Sequence, residues 1–307
     1  MRRFSKITTT QLARICGVSQ GTVDRALHNR KGIDQKTKEH ILSVAREYDY
    51  IPLVQGRDQE NSMLIGVVLF DLYNEYFSKL AMSIVNAAKQ AGYSTIFQFS
   101  EKNIKSEISA LEYFDYIGVD GIILFSAGSD SEEYEKYLRS LKKPIVCIGN
   151  KLFRLPYIGI DDATAMLELT QKIVSTAPCG DILYYAPVLK EELHMTNAQR
   201  LRFHGFTEAM KLCGKDHRIV TSLEEISDFG GIICSTDYYA LQVLQHLGYP
   251  ADAIISGFDH NSLLKNLCLR ILTVEYSTDQ IAKECINYIL GRPFASKIEH
   301  KLVYSTD

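Results

Sequence analysis

Tryptophan is absent from the 307 residues, so stacking on an aromatic face falls to the 18 tyrosines and 13 phenylalanines. No apolar run approaches the ~18 residues that a membrane helix needs, so no membrane partner is expected. The seven cysteines (Cys16, Cys147, Cys179, Cys213, Cys234, Cys268 and Cys285) are odd in number and scattered, with no CxxC and no Cys/His cluster at metal spacing. They are expected to be reduced, mostly buried small hydrophobes, and no metal is expected. The phosphate-cradling patterns GxGxxG and GxxxxGK are missing, and the eight histidines occupy unrelated contexts. Catalysis and a cofactor are therefore not expected. Asp161-Asp162 follows a short strand as metal ligands can, but with no third partner in sight it reads as a domain-crossing turn. The opening MRRFSKITTT is basic with no apolar segment behind it, so a secretory leader is not expected and the cytoplasm is the expected compartment.

What is present is uneven. The net charge of −3 divides into a basic head, with 11 Lys+Arg against 7 Asp+Glu in residues 1–60, and an acidic remainder with 23 against 30. In the head, Thr8 can cap a helix from Thr9 to Cys16 with Leu12, Ala13, Ile15 and Cys16 inward. Gly17-Val18 makes a turn and Ser19 caps a second helix. There Val23, Ala26 and Leu27 are buried, leaving Thr22, Asp24 and Arg25 outside. Asp34 caps a third helix, QKTKEHILSVAREYDY, with Ile41, Val44, Ala45 and Tyr48 at helical spacing, and Pro52 bars its continuation. A bare three-helix bundle would satisfy the same caps. Turn, cap and third helix in register favour instead a helix-turn-helix that enters a major groove by the start of its second helix.

ITTTQLARICGVSQGTVDRAL, from Ile7, resembles the N-terminus of the lactose-repressor (LacI/GalR) family. Thr8, Leu12, Ala13, Gly17, Val18, Ser19, Thr22, Val23, Arg25 and Leu27 carry the likeness, followed by Thr37, Ile41, Ala45, Tyr50 and Pro52. The resemblance implies that Gln20 and Gly21, just after the cap, face bases, with Thr22 and Arg25 on phosphate and base edges. Since Gly21 has no side chain to donate, readout concentrates on Gln20, suited to adenine, and Arg25, suited to guanine. Asp24 stands where the family usually has Ser; it orients Arg25, accepts from a cytosine amine or repels a wrong approach. The full set expected at DNA is Thr8, Ser19, Gln20, Gly21, Thr22, Asp24, Arg25, Asn29 and Arg57. Relatives continue with a hinge helix NAxARxL that wedges a Leu into the minor groove. Here Arg57 matches, but Gly56 and Gln59 replace the Ala and the Leu, so residues 53–61 are expected to be a flexible linker with little central bending of DNA.

From Met63 short apolar runs alternate with helical stretches: LIGVVLF, STIFQF, DGIILF, PIVCIG, DILYYA, RIV, GGIICS and AIISGF. Continuous apolar strands between amphipathic helices predict α/β lobes with parallel sheets, two of them in succession. Ligands in such folds bind beyond the carboxyl ends of strands. Those ends carry Asp71, Tyr73, Tyr76, Phe77, Ser126, Asn150, Thr236, Asp237 and Asp259, with Arg202 on a helix starting near Thr196. Carboxylates, an amide, an arginine and aromatic faces suit a hydroxyl-rich ligand. The family resemblance extends here: NAQRLRFHGFTEAM resembles the RxxGF segment with its ligand-binding Arg at Arg202, STDYYAL resembles NDxxAL, SGFDH resembles GFD, and ILTVEYS brings Tyr276 to the cleft.

The resemblance implies a bilobed, periplasmic-binding-protein-like body that closes on a small molecule and dimerises. The expected fold class is α/β: a helix-turn-helix domain at 1–52, a linker at 53–61 and a sensor at 62–307. The first lobe takes about 62–161 and 276–293, the second about 162–275 and 294–307. The expected function is a homodimeric transcriptional regulator, a repressor, whose grip on double-stranded operator DNA is set by a sugar or related metabolite, as release or as recruitment. The alternative is the substrate-binding protein of a sugar transport system, which shares the bilobed body but requires export.

Overall fold

A computed structural model describes residues 9–27, 32–48, 62–128, 131–152, 154–177, 180–190, 195–250 and 252–307. Thr8, Asn29, Arg57, Cys179 and the linker at 53–61 lie outside the described residues. Backbone contacts divide the chain into two units, Met1–Glu60 and Asn61–Asp307.

In the first unit α1 (Thr9–Ile15), α2 (Gln20–Leu27) and α3 (Gln35–Glu47) close on Leu12, Ala13, Val23, Ala26, Ile41 and Ala45. Gly17 turns the chain between α1 and α2 at φ 66°, where a side chain is disfavoured. Asp34 caps α3, accepting from the Lys36 and Thr37 amides at 3.0 Å each. Two expected core positions are corrected. Ile15 is exposed, because at 100° per residue it stands roughly 110° around α1 from the Leu12/Ala13 face. Tyr48 is exposed because α3 ends at Glu47, one residue short of it. Cys16, Leu27 and Val44 are half-buried against the same core.

The second unit holds two sheets. In the first lobe β1 (Leu64–Leu69), β2 (Ser94–Phe99), β3 (Gly121–Leu124), β4 (Ile145–Ile148) and β5 (Tyr157–Ile158) align in the order β2-β1-β3-β4-β5, all parallel. Around them lie α4 (Glu75–Gln90), α5 (Ile104–Ile117) and α6 (Glu132–Ser140). Such strands are apolar on both faces: β3 and β4 are buried at every residue.

The second lobe contains β6 (Asp181–Tyr185), β7 (His217–Val220), β8 (Phe229–Cys234), β9 (Ile255–Ser256), β10 (Leu272–Tyr276) and β11 (His300–Tyr304), ordered β11-β10-β9-β8-β6-β7. Its helices are α7 (Asp162–Thr176), α8 (Asn197–Cys213), α9 (Asp237–His246) and α10 (Ser262–Asn266). α7 and α8 pack so closely that a Cβ on Gly205 would come within 2.1 Å of the Ala163 carbonyl oxygen. The last strand, β11, runs antiparallel to β10, an exception to the parallel expectation at one edge.

Chain continuity does not respect the lobes. After β10 the chain returns to the first lobe as α11 (Thr278–Ile289), packed on α4, β3, β4 and β5, and then supplies β11 to the second. The returning segment joins the outgoing one in a two-way exchange: the Gly159 amide donates to Ser296 O at 3.1 Å and the Ile298 amide to Gly159 O at 2.8 Å. One buried apolar cluster runs from Val67, Leu69 and Phe70 of the first lobe to Ile182, Tyr184 and Phe258 of the second.

The cysteine expectation holds for Cys147, Cys234 and Cys285, which are buried. It is corrected for Cys213, at the outer end of α8, and Cys268, in the turn after α10, both of which are exposed.

Candidate functional site

Strand ends and helix starts converge between the lobes. Asn74, Asp161, Thr196 and Thr236 cap α4, α7, α8 and α9, each side chain accepting a first-turn amide. At α8 the cap is reciprocal, with Gln199 accepting from the Thr196 amide at 2.9 Å. The caps therefore fix where the residues just beyond each strand face.

On the second-lobe side Arg202 is the centre. It is buried on α8, with Nε donating to Asp162 Oδ1 at 2.8 Å, Nη1 to Ser235 O at 3.0 Å and Nη2 to Asp259 Oδ1 at 3.1 Å. Its guanidinium lies 3.6 Å from the centroid of the Phe258 ring. The Tyr276 hydroxyl donates to the same Asp259 oxygen at 2.9 Å. Burial outweighs the Arg202 charge at both carboxyls and holds Asp162 and Asp259 above the usual carboxylate range. Asp259 adopts φ 99°, a left-handed conformation uncommon for a non-glycine residue.

The loop that presents Asp259 is braced from below. Asp237 accepts from Thr273 Oγ1 and from the Asn261 amide at 2.7 Å each, and burial pushes its carboxyl up to about 7. Gly257 is required beside it, since a Cβ there would fall 2.0 Å from Asp237 Oδ1. From the first lobe Phe70, Phe77 and Phe125 form an edge-to-face trio with centroids 4.7–5.7 Å apart. Tyr76 meets Tyr276 at 5.8 Å across the lobes.

These groups enclose a cleft of about 320 Å³, at the low end of the roughly 300–1,000 Å³ typical of small-molecule sites. Asp71, Tyr73, Tyr76, Phe77, Arg202, Thr236, Asp259 and Tyr276 line it. Three expected residues stand apart. Asp237 borders an adjoining, more charged cavity of about 470 Å³ with Glu75, Lys79 and His260. Ser126 is buried, donating to Glu107 at 2.7 Å, and the buried Asn150 side chain bonds Ser126 O at 2.6 Å and the Asn197 amide at 2.8 Å. Lining residues that sequence reasoning did not single out include Lys102, Tyr157, Asp162, Gln199 and Tyr238. At the Asp161-Asp162 turn Asp161 caps α7, while Asp162 turns to Arg202.

In the first unit Ser19, the α2 cap, and Gln20, Gly21 and Arg25 are exposed, with Thr22 and Asp24 half-exposed; Gln20 and Gly21 open α2 and Arg25 lies in its last turn. Ser19 Oγ accepts from the Thr22 amide at 3.2 Å and lies 2.9 Å from Thr22 Oγ1. Gly17 to Gly21 also has the GxSxG spacing of a hydrolase nucleophile elbow, but an elbow needs a preceding strand and here α1 precedes it, leaving Ser19 as a cap.

Residues 62–258 match the family described as periplasmic binding proteins and sugar binding domain of LacI family, and residues 9–53 match bacterial regulatory proteins, lacI family. The chain belongs to the LacI family. The chain is 26% identical over 306 residues to the ribose operon repressor of Bacillus subtilis (strain 168), covering 92% of this chain and 91% of that protein. A LacI-family transcriptional regulator from Silicibacter pomeroyi has the same fold, with a TM-score of 0.68, 22% identity and coverage of 97% and 98%. Another such regulator, from Alkaliphilus metalliredigens and solved with D-xylulofuranose, aligns at a TM-score of 0.64 and 22% identity, covering 79% of this chain and 97% of that one. As a LacI-family protein the chain is a ligand-responsive, DNA-binding transcriptional regulator. The DNA-binding match at residues 9–53 removes the transport alternative. The family is one of regulators rather than enzymes, and among the described residues no helix is long and apolar enough to cross a membrane.

Proposed function

We propose that this LacI-family chain is a cytoplasmic, homodimeric repressor whose operator affinity is set by a sugar or related metabolite bound between its lobes, and that it catalyses no reaction. The observation that carries the reading is the cleft in which Asp162, Arg202 and Asp259 of one lobe face Phe70, Phe77 and Phe125 of the other. A hydroxyl both donates and accepts, so it can bond a carboxylate and a guanidinium at once, while a ring's apolar face lies against the aromatic trio. Ligand contacts to both lobes favour one lobe orientation, and a coupling of about 1–3 kcal/mol changes operator affinity about 5–150-fold. Asp71, Tyr73, Tyr76, Thr236 and Tyr276 complete the contact set, with Ser126, Asn150 and Asp237 supporting it from behind.

At the DNA, two copies of α2 enter successive major grooves, with Gln20 and Arg25 reading bases and Ser19, Gly21, Thr22 and Asp24 at the surface of contact. Electrophoretic retardation of the chain's own upstream region, with and without sugars that raise its melting temperature, tests the reading. Failure of the protein to shift that DNA, or a shift indifferent to every stabilising sugar, overturns it.

A further inference from the structure

Taking the cleft as the effector site, its polar floor also sets the charge of the molecule it accepts. Arg202 is the one arginine among the described lining residues, and two carboxylates, Asp162 and Asp259, already flank it at 2.8 and 3.1 Å. A third bond goes to Ser235 O, which leaves two of the five guanidinium N–H groups for a ligand. The other lining cation, Lys102, stands with Nζ 6.0 Å from the Phe70 ring centroid. Against these two cations the lining sets three carboxylates, Asp71, Asp162 and Asp259. At two of the helix starts that reach the cleft, Thr196 and Thr236 each already hold one first-turn amide, of α8 and α9.

We propose that the effector is an uncharged, ring-form polyol, and that Asp162 and Asp259 are the specificity-determining residues that exclude phosphate esters and sugar acids. A hydroxyl gives its proton to a carboxylate oxygen and takes one from the remaining guanidinium N–H. A phosphate dianion only accepts, and it would sit against two carboxylates whose side chains are only 4% and 11% exposed. The aromatic trio of the first lobe, apolar and fixed by its own edge contacts, covers the side of the ring without hydroxyls.

The test is thermal shift followed by calorimetry on the full chain, with matched probes: D-ribose and ribose 5-phosphate, D-glucose and glucose 6-phosphate, D-fructose and fructose 1-phosphate, and gluconate. The expected result is stabilisation by at least one free sugar, with its phosphate ester weaker by about 100-fold or more. Asp162→Asn should narrow that gap to about tenfold or less by removing one repelling charge. Ala198→Trp, a blocking substitution at the half-buried cleft wall away from the buried trio, should abolish the response. An ester or acid that binds as tightly as its parent sugar, and is blocked by Ala198→Trp, overturns the charge assignment and leaves the effector site standing. An undiminished gap in a folded Asp162→Asn protein overturns the role of that carboxylate. No response to any probe, or a response untouched by Ala198→Trp, overturns the effector-site reading and the proposal with it.

Discussion

Replacing Arg202 with alanine leaves Asp162 and Asp259 buried without the charge that faces both of them at 2.8 and 3.1 Å. Removing one partner of a buried ionic group costs about 3–5 kcal/mol. For a body of this size that is a fall in Tm of roughly 6–20 °C at pH 8. The pH dependence gives the prediction its edge. Both carboxyls are held above the ordinary range by burial, opposed by Arg202, so in the variant they rise further. An acid whose folded pKa exceeds its unfolded value binds its proton more tightly in the folded state. Stability is then lost as pH rises through the folded pKa and recovered as pH falls below it. The gap between variant and wild type must therefore narrow from pH 8 to pH 5. Urea denaturation of the full chain, followed by far-ultraviolet circular dichroism at both pH values, measures it. A gap equal or wider at pH 5 refutes the reasoning. The triple replacement Asp162→Asn, Arg202→Met, Asp259→Asn should restore most of the loss, because no charge is left stranded.

Three further outcomes follow from the geometry. Gly205→Ala drives a methyl to 2.1 Å from the Ala163 carbonyl oxygen, and should destabilise by about 1–3 kcal/mol or more in a melting experiment, since backbone cannot yield as a side chain can. Glu107→Ala strands the Ser126 hydroxyl, the Ala127 amide and the Tyr134 hydroxyl, costing about 1–3 kcal/mol for each group left unpaired, whereas Glu107→Gln keeps one acceptor oxygen, which can hold the Ala127 amide while the two hydroxyls rotate to accept from its NH2, and should cost less; denaturant midpoints rank the two. Arg25→Ala, at an exposed position, should weaken operator over non-operator binding by about 1–3 kcal/mol in retardation assays and leave sugar-induced thermal shifts unchanged.

The sequence was most legible where one physical rule acts alone. Caps at Ser19 and Asp34, the helix start near Thr196 and the apolar runs of β1, β3 and β8 follow from local hydrogen bonding and burial, and they appear where the pattern sets them. Strands β5 and β11 were not legible: β5 has two residues, and β11 is an edge strand mixing His300 and Lys301 with its apolar residues. In the cleft, Arg202 and Asp259 stood out because each follows a recognisable segment. Asp162 did not, because its partner is 40 residues away on another helix and adjacent Asp161 takes the obvious capping role. Ser126 and Asn150 sit at strand ends as the topology demands, but Glu107 and the Asn197 amide occupy their hydrogen bonds, which only packing decides.

The interleaving of the sensor body has a consequence for how such a protein can change over generations. Because α11 belongs with the first sheet and β11 with the second, no single crossover point in the gene separates one lobe from the other. Recombination can exchange the DNA-binding head as a cassette, but a graft of half the sensor would strip a helix from one side and an edge strand from the other. New ligand preferences in this body must therefore arise residue by residue, within the wall of the cleft.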